Sequence, residues 1–242
     1  MTPPDRAVDQ ADDRTADPAV DLAADPAVDR AVDPPGDRAV NRAVDPGRQL
    51  SLFGAEAAEP SVSDLAGLLA GSGEVVRMGG TARLSVVLDA AWRVHVLVAE
   101  FARRGIAATW EPTADGRYLV RTSYASTLAP LATAWLRAGV QRPPAGFHLD
   151  GRRLRLWSAA SGSAEPAGFL LGLSPDESTW EPIGAALAAL GLPAVLLDGA
   201  AGGPAYRIVG RRRLARLVEL VGDPPSTTPP THWPAPPARR PA

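Results

Sequence analysis

The sequence predicts an α/β fold built from two tandem αβαββα units, flanked by tails that do not fold. Three observations lead to this prediction. Residues 62–140 and 146–222 repeat one order of apolar helices and short strands. Residues 1–48 repeat a short acidic unit and hold too few large apolar side chains for a core. Residues 223–242 are rich in proline.

The composition excludes several kinds of site. The 242 residues include 25 prolines and no cysteine, which rules out disulfides, thiolate metal sites and a cysteine nucleophile. No apolar run approaches the roughly 20 residues of a membrane span, so we expect a cytoplasmic protein, associated with the nucleoid if it binds DNA. Residues 1–48 hold 11 aspartates and 6 arginines. The remaining chain is therefore mildly basic, which permits contact with DNA without requiring it.

The N-terminal segment has a four-residue period. An Asp or Asn recurs from Asp9 to Asp45 in a unit that reads approximately Ala-Val-Asp-Xaa. On a helix this spacing stacks like charges on one stripe, and the interspersed prolines interrupt a helix as well. We predict that residues 1–48 are disordered, either as a repeat expansion without function or as an acidic arm that competes with DNA. Residues 223–242, whose bulky feature is His232-Trp233, are also predicted to be disordered.

The two halves contain matching elements. In residues 62–140 we predict helices over 64–75, 91–104 and 126–138 and strands over 83–88, 106–111 and 117–122. In residues 146–222 we predict helices over 153–163, 180–190 and 211–221 and strands over 168–173, 194–197 and 206–209. Tyr118 aligns with Tyr206 in this comparison. The order αβαββα therefore occurs twice.

Such units join into one body with an internal pseudo-twofold axis, where the opening helices pack against each other. Small side chains allow a close approach at this axis, and they are Gly67, Ala70, Gly71, Ser158, Ala159 and Ser161. We expect the strands of both halves to form one curved antiparallel surface. Because the symmetry is internal, we expect a monomer.

The first opening helix carries a recognisable motif. Leu65–Gly73 reads LAGLLAGSG, and with the αβαββα order it resembles the LAGLIDADG homing-endonuclease fold over about residues 62–222. The resemblance is greatest to the N-terminal domain of WhiA-type sporulation regulators. The second motif, Leu154–Gly162, matches mainly by position. A WhiA-type protein continues into a helix-turn-helix domain, which we do not expect in the Pro-rich stretch after Val221.

The resemblance also bears on catalysis. Active LAGLIDADG nucleases place one carboxylate at the end of each central helix, and the pair holds the divalent metal that stabilises the attacking and leaving oxygens. The matching positions here are Ser72 and Ser161. Two hydroxyls cannot replace two anionic ligands, so we expect no nuclease activity and no metal or other cofactor. Glu74 and Glu165 lie near these positions, and the alternative is that they act as shifted ligands of a residual nuclease.

Arginines are the candidate DNA-binding residues. The resemblance implies that strand side chains reach the major groove. The candidates on predicted strands are Arg83, Arg117, Arg121 and Arg207. Arg211, Arg212 and Arg213 open the last helix, where cations oppose the helix dipole, so a role other than helix stability is expected. The alternative is that all of these arginines are ordinary solvated side chains.

A short apolar motif separates the acidic arm from the body. Gln49-Leu50-Ser51-Leu52-Phe53 resembles the pentapeptide with which bacterial polymerases and repair proteins bind the DNA polymerase sliding clamp. The resemblance implies that Gln49, Leu52 and Phe53 enter two adjoining pockets of the clamp, with Leu50 as a further apolar contact. The alternative is that this motif, within a linker over 49–61, packs back onto the folded body.

These features predict a non-enzymatic accessory protein of DNA replication or repair. Its LAGLIDADG-like body would hold double-stranded DNA or a partner, and the pentapeptide would tether it to the sliding clamp. One alternative is a WhiA-like regulatory module that acts through protein contacts without the clamp. The other is a residual metal-dependent nuclease.

Overall fold

A computed structural model of the protein describes residues 55, 59–199 and 203–235. All of these residues belong to a single packing unit. The predicted disordered arm, residues 1–48, and the clamp-binding motif with Gln49, Leu50, Leu52 and Phe53 lie outside the described residues. No helix of the described part is long and apolar enough to span a membrane.

The first half begins with a 3-10 turn, Val62–Leu65, which a capping box of Ser61 and Asp64 starts. Its elements are α1 (Ala66–Ala70), β1 (Glu74–Met78), β2 (Thr81–Leu88), α2 (Ala91–Ala102), β3 (Ala108–Pro112), β4 (Tyr118–Thr122) and α3 (Ala129–Trp135). The four strands form an antiparallel sheet in the order β1-β2-β4-β3. Strand β2 alternates between buried and half-buried side chains, so one face of this sheet packs against the helices.

The second half repeats this arrangement after a short hairpin of β5 (Leu136–Arg137) and β6 (Val140–Gln141). Its elements are α4 (Gly151–Ser161), β7 (Gly162–Glu165), β8 (Gly168–Gly172), α5 (Trp180–Ala189), β9 (Val195–Leu197), β10 (Ala205–Val209) and α6 (Arg211–Val221). The strand order β7-β8-β10-β9 matches that of the first half. The predicted fold class, a mixed α/β tandem repeat with antiparallel strands, is confirmed.

Each half contains one strand more than predicted, so its order is αββαββα. The opening helices end earlier than expected, at Ala70 and at Ser161, and β1 and β7 follow directly. Gly71 ends the first helix because it adopts a non-helical conformation, with φ −94° and ψ −131°. The β-branched pair Val75-Val76 then favours a strand. The strands also form two separate four-stranded sheets, which share no hydrogen-bonded strand pair within the described residues, instead of one continuous sheet.

The strand register defines which positions of the two halves are equivalent. In the first sheet Ser85 pairs with Arg121, and in the second Leu170 pairs with Arg207. If Ser72 is matched to Ser161, then Glu74 matches Ser163. Glu74 pairs with Ser85 and Ser163 pairs with Leu170, so Arg121 and Arg207 occupy equivalent positions. The predicted match of Tyr118 with Tyr206 is therefore wrong by two residues. Tyr206 takes the place of Val120, and both are buried.

Helices α1 and α4 pack side by side through glycine, as the small-residue pattern predicts. A Cβ atom on Gly67 would lie 1.9 Å from the carbonyl oxygen of Arg153. A Cβ atom on Gly71 would lie 2.8 Å from the indole of Trp157, which is fully buried. The two backbones approach each other more closely than any other residue type allows. This contact joins the two halves of the core.

Residues 223–235, in the proline-rich segment after α6, pack on the body, so the prediction of disorder from Asp223 onward is wrong for this part. Trp233 is only 3% exposed, and its indole N–H donates to the carbonyl oxygen of Gly222 at 3.0 Å. The guanidinium of Arg155 lies 5.2 Å from the Trp233 ring. A short 3-10 turn, Pro230–His232, packs along β7. A single buried aromatic thus anchors the segment over the edge strand of the second sheet.

Candidate functional site

The two serines at the candidate catalytic positions lie at the neighbouring ends of α1 and α4. Both are half-buried. The hydroxyl of Ser161 donates to the carbonyl oxygen of Gly172 on β8 at 3.2 Å. A Cβ atom on Gly71, the residue before Ser72, would lie 3.2 Å from this hydroxyl oxygen. The structure therefore brings the two helix ends together, as the repeat predicts, and the Ser161 hydroxyl already has a backbone partner.

An arginine from the first half closes the end of α4. Arg93 on α2 is 2% exposed, and its guanidinium donates to the carbonyl oxygens of Ala159 at 2.9 Å and Gly162 at 2.6 Å. Ala159 lies in the last turn of α4, whose carbonyls have no intrahelical partner, and Gly162 directly follows this helix, at the end that favours a cation. Asp89 accepts from Arg93 Nε at 2.6 Å. A positive charge thus lies beside the position where a nuclease needs a negative one.

Burial affects the charge of this arginine. It lowers the pKa of the Arg93 guanidinium, and the carboxylate of Asp89 opposes that shift. An arginine pKa starts so high that the side chain stays charged at neutral pH. The sequence did not single out Arg93, because its main partners are backbone carbonyls, which leave no mark in a sequence pattern. The one feature of the sequence that could have indicated a buried arginine is the position of Arg93 between the apolar residues Trp92 and Val94.

The equivalent helix end in the first half is satisfied differently. The amide nitrogen of Gln141 donates to the carbonyl oxygen of Gly73 at 2.8 Å, and its oxygen accepts from the N–H of Val75 at 2.9 Å. The Gln141 side chain thus makes the two backbone hydrogen bonds that a neighbouring strand would make at the edge of β1. Gln141, after α3, thus contacts the β1 edge, and the 3-10 turn Pro230–His232, after α6, contacts β7.

The two candidate shifted ligands do not form a metal cluster with other acidic residues. Glu74 is exposed on β1. Glu165 lies 3.0 Å from Arg207 as an ion pair. In residues 59–199 and 203–235, no group of three or more His, Asp or Glu side chains is arranged to hold a metal ion. The side chains described at the helix ends are the serine hydroxyls, the Gln141 amide, and Arg93 with its partner Asp89.

Most of the candidate strand arginines have partners. Arg121 pairs with Glu111 at 2.7 Å, and Arg207 pairs with Glu165. Arg83 stacks 4.9 Å from the ring of Tyr124. Within the described strands, the sheet faces turned away from the helices carry these three arginines beside Glu74, Glu111 and Glu165. The faces that the resemblance assigns to DNA are therefore balanced in charge.

Arg117 lies in the β3–β4 turn and not on a strand, which corrects its predicted place. It forms an exposed ion pair with Asp115 at 2.6 Å. Hydrogen bonds from Thr113 and then Arg117 lower the pKa of the Asp115 carboxyl to about 2. This contact stabilises the hairpin turn, and the carboxylate of Asp115 compensates the positive charge of Arg117.

The first turn of α6 is different. Arg211, Arg212 and Arg213 are all exposed. Arg213 donates to the carbonyl oxygen of Val209 at 3.4 Å, and in the described part of the chain none of the three forms an ion pair. Gly210, with φ 96°, makes the sharp bend from β10 that projects this turn. Among the predicted DNA-binding residues that the structure describes, the charges of these three arginines are the ones least offset by neighbouring carboxylates.

Comparisons with known proteins give similarities of fold. No family model and no curated protein matches the chain. The homing endonuclease I-WcaI, bound to its DNA recognition sequence, has a TM-score of 0.49 and 13% identity over 72% of this chain and 82% of its own. The N-terminal LAGLIDADG domain of DUF199/WhiA has a TM-score of 0.48 and 13% identity, over 67% and 82%. I-DmoI in complex with DNA and Mn has a TM-score of 0.42 and 13% identity, over 67% and 98%.

Proposed function

We propose that this protein is a non-catalytic, DNA-associated accessory factor that its N-terminal motif tethers to the replication sliding clamp. The observation that carries the non-catalytic part is the chemistry at the ends of α1 and α4. Ser72 and Ser161 replace both carboxylates that the LAGLIDADG resemblance requires. The buried guanidinium of Arg93 lies beside the second helix end. A cation there opposes the binding of a divalent metal.

Contact with DNA is supported by the first turn of α6. Three adjacent exposed guanidinium groups, which have no acidic partner among residues 59–199 and 203–235, can each neutralise a phosphate. Their number is small, so the affinity for free DNA is expected to be weak. Tethering compensates for weak affinity, because a clamp on DNA raises the local concentration of the body near the duplex.

The tether is supported by the sequence of residues 49–53 and by where the chain enters the body. Ala55 is buried, and its N–H donates to the carbonyl oxygen of Leu220 at 2.9 Å. The motif therefore ends two residues before a fixed point on α6. A partner that binds the motif is held close to the same helix that presents the exposed arginines at its other end.

Fluorescence anisotropy tests the tether. A labelled peptide spanning residues 48–56 is titrated with the purified sliding clamp of the same organism. The proposal predicts a dissociation constant on the order of micromolar. A matched peptide with alanine at Gln49, Leu52 and Phe53 is expected not to bind. Equal binding of the two peptides, or no binding by either at high micromolar clamp, refutes the tether.

A nicking assay tests the absence of catalysis. Supercoiled plasmid incubated with the protein and Mg²⁺ is expected to remain intact. Nicking that depends on Mg²⁺ and disappears in a Glu74→Ala variant would establish the residual nuclease instead. Because Glu165 is the other candidate ligand, a Glu74→Ala, Glu165→Ala double variant is tested alongside, and nicking that survives in the double variant would point to a contaminating enzyme.

A second candidate function is a regulatory module that acts through protein contacts. The sheet faces turned away from the helices favour it, because they are balanced in charge and expose large apolar side chains. Val76 is 44% exposed, Met78 58% and Val195 53%. This function predicts that a Met78→Glu, Val195→Glu variant loses its partner in a pull-down, while a Gln49→Ala, Phe53→Ala variant keeps it. The clamp-tether proposal predicts that the Gln49→Ala, Phe53→Ala variant loses the clamp and that the Met78→Glu, Val195→Glu variant keeps it.

A further inference from the structure

Adjacent arginines occur at three places in the described body, at positions 103–104, 152–153 and 211–213. The first two places are paired with carboxylates of the body itself at distances between 2.7 and 3.7 Å, in the pairs Arg103–Glu100, Arg104–Glu100, Arg104–Asp64, Arg152–Asp64 and Arg153–Asp150. The third place, which we call the α6 arginine patch, consists of Arg211, Arg212 and Arg213. It is exposed and has no carboxylate partner within residues 59–199 and 203–235. Of these three places, only the patch is left without compensation by the body.

The acidic surplus of the chain lies in its N-terminal repeat. Residues 1–48 contain 11 aspartates and 6 arginines, whereas residues 49–242 contain 19 arginines and 16 acidic side chains. The repeat is therefore net negative and the remainder net positive. Opposite surpluses attract each other, and the attraction is strongest at low ionic strength. The charges of the repeat thus complement those of the patch.

The N-terminal segment joins the body on the same helix that carries the patch. The N–H of Ala55 donates to the carbonyl oxygen of Leu220 at 2.9 Å, in the last turn of α6. Arg213 precedes Leu220 by seven residues and Arg211 precedes it by nine. With a rise of about 1.5 Å per residue, the patch lies roughly 10–14 Å from this anchor along the helix axis.

The aspartates of the repeat can reach the patch from this anchor. Asp45 is the acidic residue nearest to Ala55 in residues 1–54, and it precedes Ala55 by ten residues. Ten residues span up to about 36 Å when the chain is extended. This length is more than twice the distance along α6, so the chain is long enough to pass around the helix. Aspartates further upstream have a longer reach, and the absence of local carboxylates distinguishes the patch from the other arginine pairs.

We propose that the acidic repeat of residues 1–48 binds the α6 arginine patch and that DNA displaces it. A guanidinium group binds carboxylates and phosphates through the same N–H donors, so the two compete for it. One exposed ion pair is weak, but the repeat supplies many aspartates, and attachment to α6 keeps them at a high effective concentration. The competition with DNA rests on the proposed function, whereas the contact between the repeat and the patch does not.

Chemical modification of arginine tests this contact in the full-length protein without DNA. Phenylglyoxal reacts with exposed guanidinium groups, and mass spectrometry of the digested protein gives the rate at each site. The test variant combines five substitutions that bring the net charge of residues 1–48 to zero: Asp21→Asn, Asp25→Asn, Asp29→Asn, Asp33→Asn and Asp37→Asn. Arg77 is the internal control, because it is exposed on β1, outside the patch, and forms no ion pair within the described residues.

The contact predicts that at low salt the patch reacts about threefold or more slowly in the unmodified sequence than in the test variant. Arg77 is expected to react at the same rate in both proteins. At 1 M salt, where the screening length is about 3 Å, the difference at the patch should disappear. Equal rates at the patch at low salt overturn the proposal. Equal protection of Arg77 and the patch also overturns it, because the repeat would then be attracted to positive charge in general.

Binding of a labelled duplex at low salt tests the competition. The test variant is expected to bind about three- to tenfold more tightly than the unmodified sequence, because the patch is no longer partly occupied. The same five substitutions are also made in an Arg211→Ser, Arg212→Ser, Arg213→Ser background. A change in net charge acts in both backgrounds, whereas competition for the patch acts only where the patch is present. An equal gain in the two backgrounds overturns the competition.

The two measurements also separate this proposal from the proposed DNA contact. If loss of the patch leaves DNA binding unchanged while the repeat still protects the patch from phenylglyoxal, the DNA contact fails and the binding of the repeat stands. If loss of the patch weakens DNA binding but the repeat gives no protection, the binding of the repeat fails and the DNA contact stands.

Discussion

The Nη2 atom of Arg93 lies 2.6 Å from the carbonyl oxygen of Gly162, so a side chain of the first half closes a helix of the second. Near this level the two halves are also joined through Gly71 of the first half, where a Cβ atom would lie 2.8 Å from the indole of Trp157 on α4. A polar contact and an apolar contact therefore link the repeats at the helix ends where a nuclease of this fold class would hold metal. The junction therefore contributes to the stability of the body.

Replacing Arg93 is expected to destabilise the whole described body. An Arg93→Met change keeps much of the apolar volume but leaves the carbonyls of Ala159 and Gly162 without their donor, at a cost of about 3–5 kcal/mol in the free energy of unfolding. Urea denaturation followed by circular dichroism measures it. Arg103→Met, at the exposed end of the same helix, is the control and is expected to change stability by less than about 0.5 kcal/mol. Similar losses for both variants would contradict the role of Arg93.

The contact between α1 and α4 predicts a strong effect of one added methyl group. In a Gly67→Ala variant the new Cβ would meet the backbone carbonyl of Arg153 at 1.9 Å, and backbone cannot move aside as a side chain can. We expect a loss of about 3 kcal/mol or more, at the upper end of overpacking effects.

Gly80→Ala provides the control for this substitution, because a Cβ there meets nothing within 4 Å. Its stability is expected to stay the same or to rise by up to about 1 kcal/mol through the unfolded state. Thermal unfolding of both variants decides the question. A Gly67→Ala protein as stable as the Gly80→Ala protein would show that the helices do not approach as described.

The ordered C-terminal segment makes a local prediction. Trp233→Ala removes the buried anchor and its hydrogen bond to Gly222, and we expect the segment from Asp223 to Ala235 to detach while the body stays folded. Hydrogen exchange detected by mass spectrometry should then show loss of protection in this segment and along β7. An exposed neighbour, Thr231→Ala, is expected to leave the exchange pattern unchanged. Global loss of protection in the Trp233 variant would instead make the segment part of the core.

The arginines of α6 predict a salt-dependent contact with DNA. An Arg211→Ser, Arg212→Ser variant is expected to reduce the slope of log K against log salt concentration by about 0.9 for each lost phosphate contact. Arg103→Ser, Arg137→Ser is the control, because it removes two exposed arginines elsewhere and changes the net charge equally. Binding of a labelled duplex at several salt concentrations measures both slopes. Equal slopes for the two variants would assign the effect to net charge alone.

The sequence predicted the elements that carry a local pattern. The glycines of the Leu65–Gly73 motif indicated a close helix pair, and Gly67 and Gly71 do lie in that contact. The strands β1 and β7 were missed because an apolar helix pattern ran into them through Gly73 and Gly162 without a visible break. The register shows that Arg121 matches Arg207 and Val120 matches Tyr206, so the predicted match of Tyr118 with Tyr206 is wrong.

Features that depend on distant backbone could not be predicted in this way. Arg93 binds carbonyls 66 and 69 residues away, and a carbonyl is present at every position of the chain. The C-terminal segment has the composition of a disordered tail, but Trp233 and Thr228 are buried and His232 meets Trp92 edge to face at 5.8 Å. In both cases the partner is a surface that exists only after the repeats have folded.

The most direct test of the tethered accessory factor is the affinity of the full-length protein for circular DNA with and without a loaded sliding clamp. The proposal predicts that the clamp increases affinity by at least about tenfold, since tethering raises the local concentration of the body. The increase should vanish in a Gln49→Ala, Phe53→Ala variant that remains folded by circular dichroism. The same affinity with and without the clamp would contradict the central claim and leave a LAGLIDADG-like body that works through other contacts.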